Sequence, residues 1–157
     1  MREGALPQPA DENDVVVVAA GSAWPLYSTV ASAYICQNGR QFRPVGRLGF
    51  YSLRTIYGLV PKILKRYDGV VYDLRETTEL LLSTNPWEQQ LGRTLQATRS
   101  ERVLGVEYTV LLLSDPESLD TARFDQIHHD GPAAWTMNQR YQKLPSLVAA
   151  CTTADLT

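Results

Sequence analysis

The sequence has few cysteines and no long apolar segment. Its 157 residues contain two cysteines, too few for a disulfide framework and without the spacing of metal ligands. Cys36 and Cys151 both lie among apolar residues, so we expect two buried thiols in a reducing compartment. The longest uninterrupted apolar run, Val15 to Ala20, covers about a third of the roughly 20 residues that span a bilayer. We therefore expect no membrane partner.

Targeting and catalytic motifs are not recognisable either. The first 14 residues contain one arginine and four acids but no apolar core of a signal peptide, which predicts a cytoplasmic protein. The chain has no nucleophile elbow, no phosphate-binding loop, no zinc-protease motif and no C-x-x-C pair. The sequence therefore predicts no cofactor and no metal site. With 44% apolar residues, the composition is that of a globular protein with a sizeable core.

Acidic residues are absent from a third of the chain. From Val15 through Tyr67 there is no Asp or Glu, whereas seven arginines and lysines fall in this stretch. From Asp68 through Asp130 the balance reverses, with twelve acids against five arginines. The net charge of −2 hides this asymmetry.

The acid-free stretch is also rich in aromatic residues, with eight of the 14 in the chain. Cations neutralise phosphates and aromatic faces stack on bases, so this combination is typical of a nucleic-acid groove. The alternative is that the aromatic residues form core and that the arginines pair with the acidic part of the chain on folding. The sequence leaves both interpretations open.

The chain divides into a polar N-terminal arm, residues 1–13, and one domain, residues 14–157. Short apolar, β-branched runs predict about six strands, among them Asp14–Ala20 and Val106–Leu113. The pairs Asn38-Gly39 and Asp68-Gly69 are hairpin-type turn signals.

Helices are predicted at two places. Asn85 is a suitable N-cap and Pro86 suits the first helical position, which predicts a helix to about Arg99. Pro145 starts a second, shorter helix to about Ala150. Because strands outnumber helices, the fold class is α+β, around a curved or closed, antiparallel-rich sheet with two or three short helices.

Three stretches carry a resemblance to a known family. They are, in chain order, Arg47–Ser52 with Ile56, Gly58 and Val60, then Tyr108–Leu113, and finally Gln139–Leu144 with Leu147, Ala150, Thr152, Thr153 and Leu156. They resemble the aromatic-pair hairpin, the long strand and the closing Arg-Tyr segment of the PUA-like superfamily, which includes the EVE and ASCH domains. The resemblance covers nearly all of residues 14–157.

The resemblance implies a pseudo-barrel that binds DNA, RNA or a nucleotide and holds a base, in some relatives a modified one, in an aromatic cleft. Several such bacterial proteins are linked to restriction and phage defence, which implies a nuclease or methylase as a protein partner. We expect the binding residues to be aromatic side chains around a base and cations that meet phosphates. They are Trp24, Tyr51 and Trp135, together with Arg47, Arg54, Lys62, Lys65, Arg66 and Arg140.

The aromatic pair Phe50 and Tyr51 points to opposite faces of its predicted strand, so one of the two must face outward. A tyrosine can keep its hydroxyl hydrated while its ring stacks on a ligand. We therefore assign Phe50 to the core and Tyr51 to the cleft.

Two other functions stay open. ASCH-type relatives imply a small nucleoside amidohydrolase or ribonuclease, for which Tyr51, Lys62 and His128 are the candidate catalytic residues, with a histidine as general base. The second is a protein-interaction or regulatory domain without nucleic acid, which would dock through its acidic part. A third possibility, a nuclease metal site among Asp68, Asp73, Glu76 and Glu79, does not fit the order of a familiar nuclease core, and we expect a solvated acidic face there.

Overall fold

The protein has an α+β fold in which strands outnumber helices. The computed structural model describes residues 1–4, 6 and 11–156. Within them, the strands are β1 Arg2–Gly4, β2 Asp14–Ala19, β3 Ala33–Gln37, β4 Arg47–Ser52, β5 Thr55–Ile56, β6 Leu59–Val60, β7 Ile63–Val71, β8 Glu107–Leu113, β9 Ala122–Arg123, β10 Ile127–His128 and β11 Gln139–Lys143. The α-helices are α1 Ala23–Thr29, α2 Leu74–Leu81, α3 Pro86–Thr98 and α4 Leu144–Ala149.

The predicted α+β class with mostly antiparallel pairing is therefore confirmed, but the element count was too low. Of the strand pairs with a defined direction, β2 with β4 is parallel and the others are antiparallel. The extra elements are mainly strands of two or three residues, which are too short to leave a periodic pattern in the sequence.

Two compact units make up the described part of the chain, and each is assembled from separate segments. Unit 1 comprises the described residues of Met1–Leu6, Pro25–Gln41 and Leu64–Leu113. Unit 2 comprises the described residues of Pro7–Trp24, Phe42–Ile63 and Ser114–Thr157.

Unit 1 contains a four-stranded sheet with the order β1-β7-β8-β3 and the helices α2 and α3. Leu91 and Leu95 lie one turn apart on α3, and both are fully buried in the core of this unit. The Tyr72 hydroxyl is buried too and lies 2.7 Å from Thr98 Oγ1, which satisfies both polar groups.

The helix α3 begins as the sequence predicts. Asn85 Oδ1 accepts a hydrogen bond of 2.9 Å from the backbone nitrogen of Trp87, and Pro86 occupies the first turn. Glu88 does not close a capping box with Asn85, because its carboxylate accepts from the Ser83 hydroxyl at 2.8 Å. The helix α2 was not predicted, although the Asp73 carboxylate accepts from the backbone nitrogen of Glu76 as its N-cap.

Unit 2 contains a five-stranded sheet with the order β10-β5-β4-β2-β11 and the two-stranded sheet β6-β9. The predicted strand Asp14–Ala20 is confirmed as β2, whose residues Val15 to Val18 have no exposed surface because both faces of the strand are covered. Val15 and Val17 pack in one core with Leu147 of α4, which begins close to the predicted position.

Two expectations about local structure were wrong. Asp68-Gly69 does not turn the chain but lies inside β7, where Gly69 takes a φ of 63° without leaving the strand. Residues 1–13 were expected to form a mobile arm, but Arg2–Gly4 forms β1 and pairs with β7. For residues 5 and 7–10 this expectation is not tested, because they lie outside the described residues. The remaining expectation of one domain over 14–157 stays a prediction.

None of the helices in the described chain combines the length and the apolar character needed to cross a membrane.

Candidate nucleic-acid interface

Arg47, which we expected to meet phosphate, is an interior residue. Arg47 is the first residue of β4, and it is 9% exposed. Arg47 Nη1 donates to the carbonyl oxygens of Val60 and Asp120, both at 2.9 Å. Burial lowers the pKa of the guanidinium, opposed by the charges of Glu12 and Asp120. The expected placement of Arg47 on a phosphate-facing surface is wrong, because this arginine joins β4 to β6 and to the loop at Asp120.

Three further cations of the predicted site are paired with carboxylates. In unit 2, Lys62 Nζ lies 3.5 Å from Asp120 Oδ1. In unit 1, Lys65 contacts the Glu3 carboxylate, and Arg66 Nη2 lies 3.1 Å from Asp68 Oδ1. For these residues the structure favours the alternative in which the basic stretch is neutralised within the fold.

The aromatic pair of β4 alternates as predicted, yet both rings are buried. Phe50 packs against Trp24, with ring centroids 5.5 Å apart, whereas Tyr51 faces the core that contains Trp135, at 5.7 Å. Tyr51 is 5% exposed, and its hydroxyl accepts from the backbone nitrogen of Trp135 at 3.1 Å. The outward orientation expected for Tyr51 is wrong, because the structure covers both faces of the strand.

Trp135 and Arg140, both among the predicted binding residues, do come together. Arg140 Cζ lies 4.4 Å from the ring centroid of Trp135, and Arg140 Nη1 donates to the Trp135 carbonyl at 3.2 Å. However, Trp135 is only 7% exposed. Its ring is therefore covered by Arg140 and Tyr51, and it presents no open face for a base.

Trp24 is the predicted platform residue that keeps partial exposure. Its ring stacks on Tyr57, with centroids 4.2 Å apart and an angle of 5° between the planes. Both residues are half-buried. This parallel stack lies at the surface of unit 2.

Arg54 lies at the tip of the hairpin that joins β4 to β5. Leu53 and Arg54 both have positive φ values, 50° and 60°, which is the geometry of a two-residue turn of the mirror-image type. Arg54 is exposed, and its Nη1 donates to the Gly131 carbonyl. This guanidinium serves partly to hold the neighbouring loop.

The candidate catalytic residues do not converge. Tyr51 is paired with Ile56 and Ile56 with Ile127, so all three face the core, whereas His128, next along β10, points to the opposite face. His128 is exposed and its Nε2 lies 3.2 Å from Asp130 Oδ1. The third candidate, Lys62, is held by its own carboxylate partner.

The cysteines differ in exposure. Cys36 is buried in β3, as expected, and its burial raises the pKa of the thiol to about 11. Cys151 is exposed, so the expectation of a second buried thiol is wrong. Among the residues with described positions, no group of three or more His, Cys, Asp and Glu side chains could hold a metal ion.

Unit 2 has a cleft that the sequence analysis missed. The cleft has a volume of about 350 Å³, and we call it the Arg43 cleft. Its lining includes Asp14, Arg43, Tyr141, Lys143 and Ser146. Part of this cleft could have been found from the alternation along β11, because side chains two residues apart on a strand, such as Tyr141 and Lys143, lie on the same face.

Arg43 and Tyr141 form the centre of this cleft. Arg43 Cζ lies 4.6 Å from the ring centroid of Tyr141, and the backbone nitrogen of Arg43 donates to the Tyr141 hydroxyl at 3.0 Å. Arg43 is exposed, and no carboxylate of the described chain lies within ion-pair distance of it. Lys143 contacts Asp14, and this hydrogen bond raises the pKa of the lysine.

Comparisons with protein-family models, curated proteins and solved structures found no match for this chain. The resemblance to the PUA-like superfamily therefore stays a prediction.

Proposed function

We propose that unit 2 is a nucleic-acid-binding or nucleotide-binding module and that the Arg43 cleft is its phosphate and base site. The observation that carries this proposal is the exposed guanidinium of Arg43, held over the ring of Tyr141 in a cleft of about 350 Å³. Clefts of about 300–1,000 Å³ are of the size that takes small-molecule groups.

The charges of the cleft suit an anion. Arg43 has no ionic partner among the residues whose positions are described, so its charge is available to a ligand. Lys143 also lines the cleft, but its ammonium contacts Asp14 and lies 4.0 Å from Asp11 Oδ2, so its charge is compensated within the fold. Arg43 is therefore the cation of the lining that is left for a ligand, and a phosphate is the anion that arginine binds in nucleic acids.

A base can use the same centre. A guanidinium plane and an aromatic ring are both surfaces on which unpaired bases stack. The Tyr141 hydroxyl holds the backbone of Arg43, and the Tyr141 ring contacts the guanidinium before a ligand arrives, so less side-chain entropy is lost on binding than for an arginine without such a contact. The Trp24–Tyr57 stack is a second aromatic surface of unit 2 that unpaired bases could contact.

The test is a binding titration of labelled single- and double-stranded DNA and RNA, modified bases included, at increasing salt. We expect the affinity of the best ligand to fall steeply with salt. The variant Arg43→Gln should weaken binding about tenfold and lower the salt slope by about one. Tyr141→Leu should cost about 1–3 kcal/mol of binding free energy, as for one stacked base.

Arg75→Gln is the matched control, since Arg75 is an exposed arginine of unit 1 that pairs with Glu79 one turn away. It changes the net charge equally and should leave binding intact. Circular dichroism must show that every variant is folded. Binding by folded Arg43→Gln at wild-type strength, or no binding by the wild type, would refute the proposal and favour a protein-interaction domain.

A further inference from the structure

Unit 1 has its own cleft, where β7 leads into α2 and the 3₁₀ turn Arg99–Glu101 follows α3. The cleft has a volume of about 630 Å³, and we call it the double-arginine cleft. Its lining includes Tyr72, Leu74, Arg99, Ser100, Arg102 and Leu104.

The two arginines are unneutralised although this part of the chain is rich in acids. Neither Arg99 nor Arg102 has a carboxylate within ion-pair distance in the described chain. Asp73 also lines the cleft, but its Oδ2 already accepts from the backbone nitrogen of Glu76 at the start of α2. The cleft therefore carries two cations and one carboxylate that is held by a helix cap.

The Arg102 side chain also interacts with the Tyr72 hydroxyl, yet not all of its donors are paired. Its Nη1 donates to the carbonyl of Glu101 at 3.2 Å, and its Cζ lies 5.8 Å from the ring centroid of Tyr108. Its Nε is buried and has no hydrogen-bond partner. An unpaired buried donor is costly, above all on a charged group, and such groups in native structures call for an explanation. The Nε of Arg47 is unpaired in the same way, so what distinguishes Arg102 is its place in an open cleft, where a bound oxyanion would supply the opposite charge that no carboxylate of the described chain provides.

The rim of the cleft is apolar. Leu74 and Leu104 are 68% and 67% exposed, an unusual state for two leucines at one opening. The buried Tyr72 adds a ring to the wall. A ligand that fits this lining has an anionic end for the arginines and an apolar body for the leucines.

We propose that the double-arginine cleft binds a small organic oxyanion, a phosphomonoester or a carboxylate that carries an apolar group. This inference is independent of the function proposed for the Arg43 cleft, since it concerns another unit and other residues. The arginine forks bind the oxyanion through charged, paired hydrogen bonds, and the leucines bind the apolar group.

Calorimetric titration of the whole chain with phenyl phosphate, benzoate and inorganic phosphate tests this inference. We expect phenyl phosphate or benzoate to bind more tightly than inorganic phosphate, and the stronger of the two identifies the anionic group. Arg99→Gln and Arg102→Gln should each weaken that binding about tenfold, the effect of one charged hydrogen bond. Leu104→Ser should weaken binding of phenyl phosphate but not of inorganic phosphate.

Two controls exclude a general charge effect and binding at the other cleft. Arg93 is an exposed arginine of α3 that donates to Gln90 at 2.8 Å, and Arg93→Gln should bind as the wild type does. Each comparison is repeated on the Arg43→Gln background, where the phosphate site proposed for unit 2 is weakened, and the losses caused by Arg99→Gln and Leu104→Ser should persist there. No saturable binding by the wild type would overturn the inference, as would an equal loss in Arg93→Gln or no further loss from Arg99→Gln on the Arg43→Gln background. If Arg102→Gln fails to fold, the exposed positions Arg99 and Leu104 still decide the result.

Discussion

Replacing Gly58 by alanine should severely destabilise unit 2. A Cβ atom at Gly58 would lie 1.9 Å from the carbonyl oxygen of Phe124 and 3.0 Å from its carbonyl carbon. The obstructing atom belongs to the backbone, so no side-chain rotation can relieve the clash. The Phe124 nitrogen also donates to the Gly58 carbonyl at 3.0 Å, which fixes the two chain segments at close approach.

The cost follows from the distances. To reach an ordinary contact, the two segments must separate by more than about 1 Å, which costs about 1–3 kcal/mol as overpacking. The same movement weakens the Phe124–Gly58 hydrogen bond, for about 1 kcal/mol more. We therefore expect Gly58→Ala to lower the free energy of unfolding by about 2–4 kcal/mol.

Urea denaturation followed by circular dichroism measures this loss as a lower midpoint at unchanged slope. Gly21→Ala is the matched control, because an added Cβ there meets no atom within 4 Å and its φ is not left-handed. It should stay within about 0.5 kcal/mol of the wild type. If both variants unfold at the same urea concentration, the close approach at Gly58 does not exist and the argument fails.

Three further predictions concern buried groups. Arg47→Met should lower the free energy of unfolding by about 2–4 kcal/mol, because two buried carbonyl oxygens lose a charged donor. Urea denaturation measures this loss, and a value below about 0.5 kcal/mol would contradict the structural role of Arg47. At pH 8 a thiol reagent should modify Cys151 rapidly and Cys36 only on unfolding, and mass spectrometry of the labelled protein identifies the site. Burial raises the pKa of Tyr34 to about 12. Between about pH 10 and 12 the Tyr34 hydroxyl therefore stays protonated in the folded protein but loses its proton in the unfolded chain. Stability should therefore fall as pH rises from 10 to 12, less so in Tyr34→Phe, and an equal pH dependence in both proteins would refute this.

The elements that could be predicted are those with strong local signals. The helix α3 has its N-cap at Asn85 and a proline in its first turn, so its start depends on neighbouring residues only. The strand β2 is an uninterrupted run of valines long enough to indicate a strand covered on both faces. The turn between β4 and β5 could not be predicted from local residue types, because its two central residues, Leu53 and Arg54, are not among those that favour positive φ.

Most of the candidate site depends on tertiary contacts, which a sequence does not display. That Lys62 pairs with Asp120, and Arg66 with Asp68, follows from the folded chain and not from the charge count. The burial of Tyr51 depends on what covers the second face of β4, and the period-2 rule gives only the alternation. The same rule places Tyr141 and Lys143 on one face of β11, but the approach of Arg43 to Tyr141 is again a tertiary contact.

The discontinuous composition of the two units has a consequence for how the chain acquires its structure. In unit 2, Val18 of β2 pairs with Gln139 of β11 and, on its other side, with Phe50 of β4, while segments of unit 1 intervene along the chain. Such distant pairings give a high contact order and slow folding. During synthesis, the valine-rich β2 emerges long before β11, so a ribosome-bound chain stalled before residue 139 should bind chaperones or aggregate. For the same reason, the shortest continuous fragments that contain unit 1 and unit 2 whole are residues 1–113 and 7–157, and each also contains segments of the other unit. Domain dissection by truncation therefore leaves segments of one unit without their partners and should yield insoluble pieces.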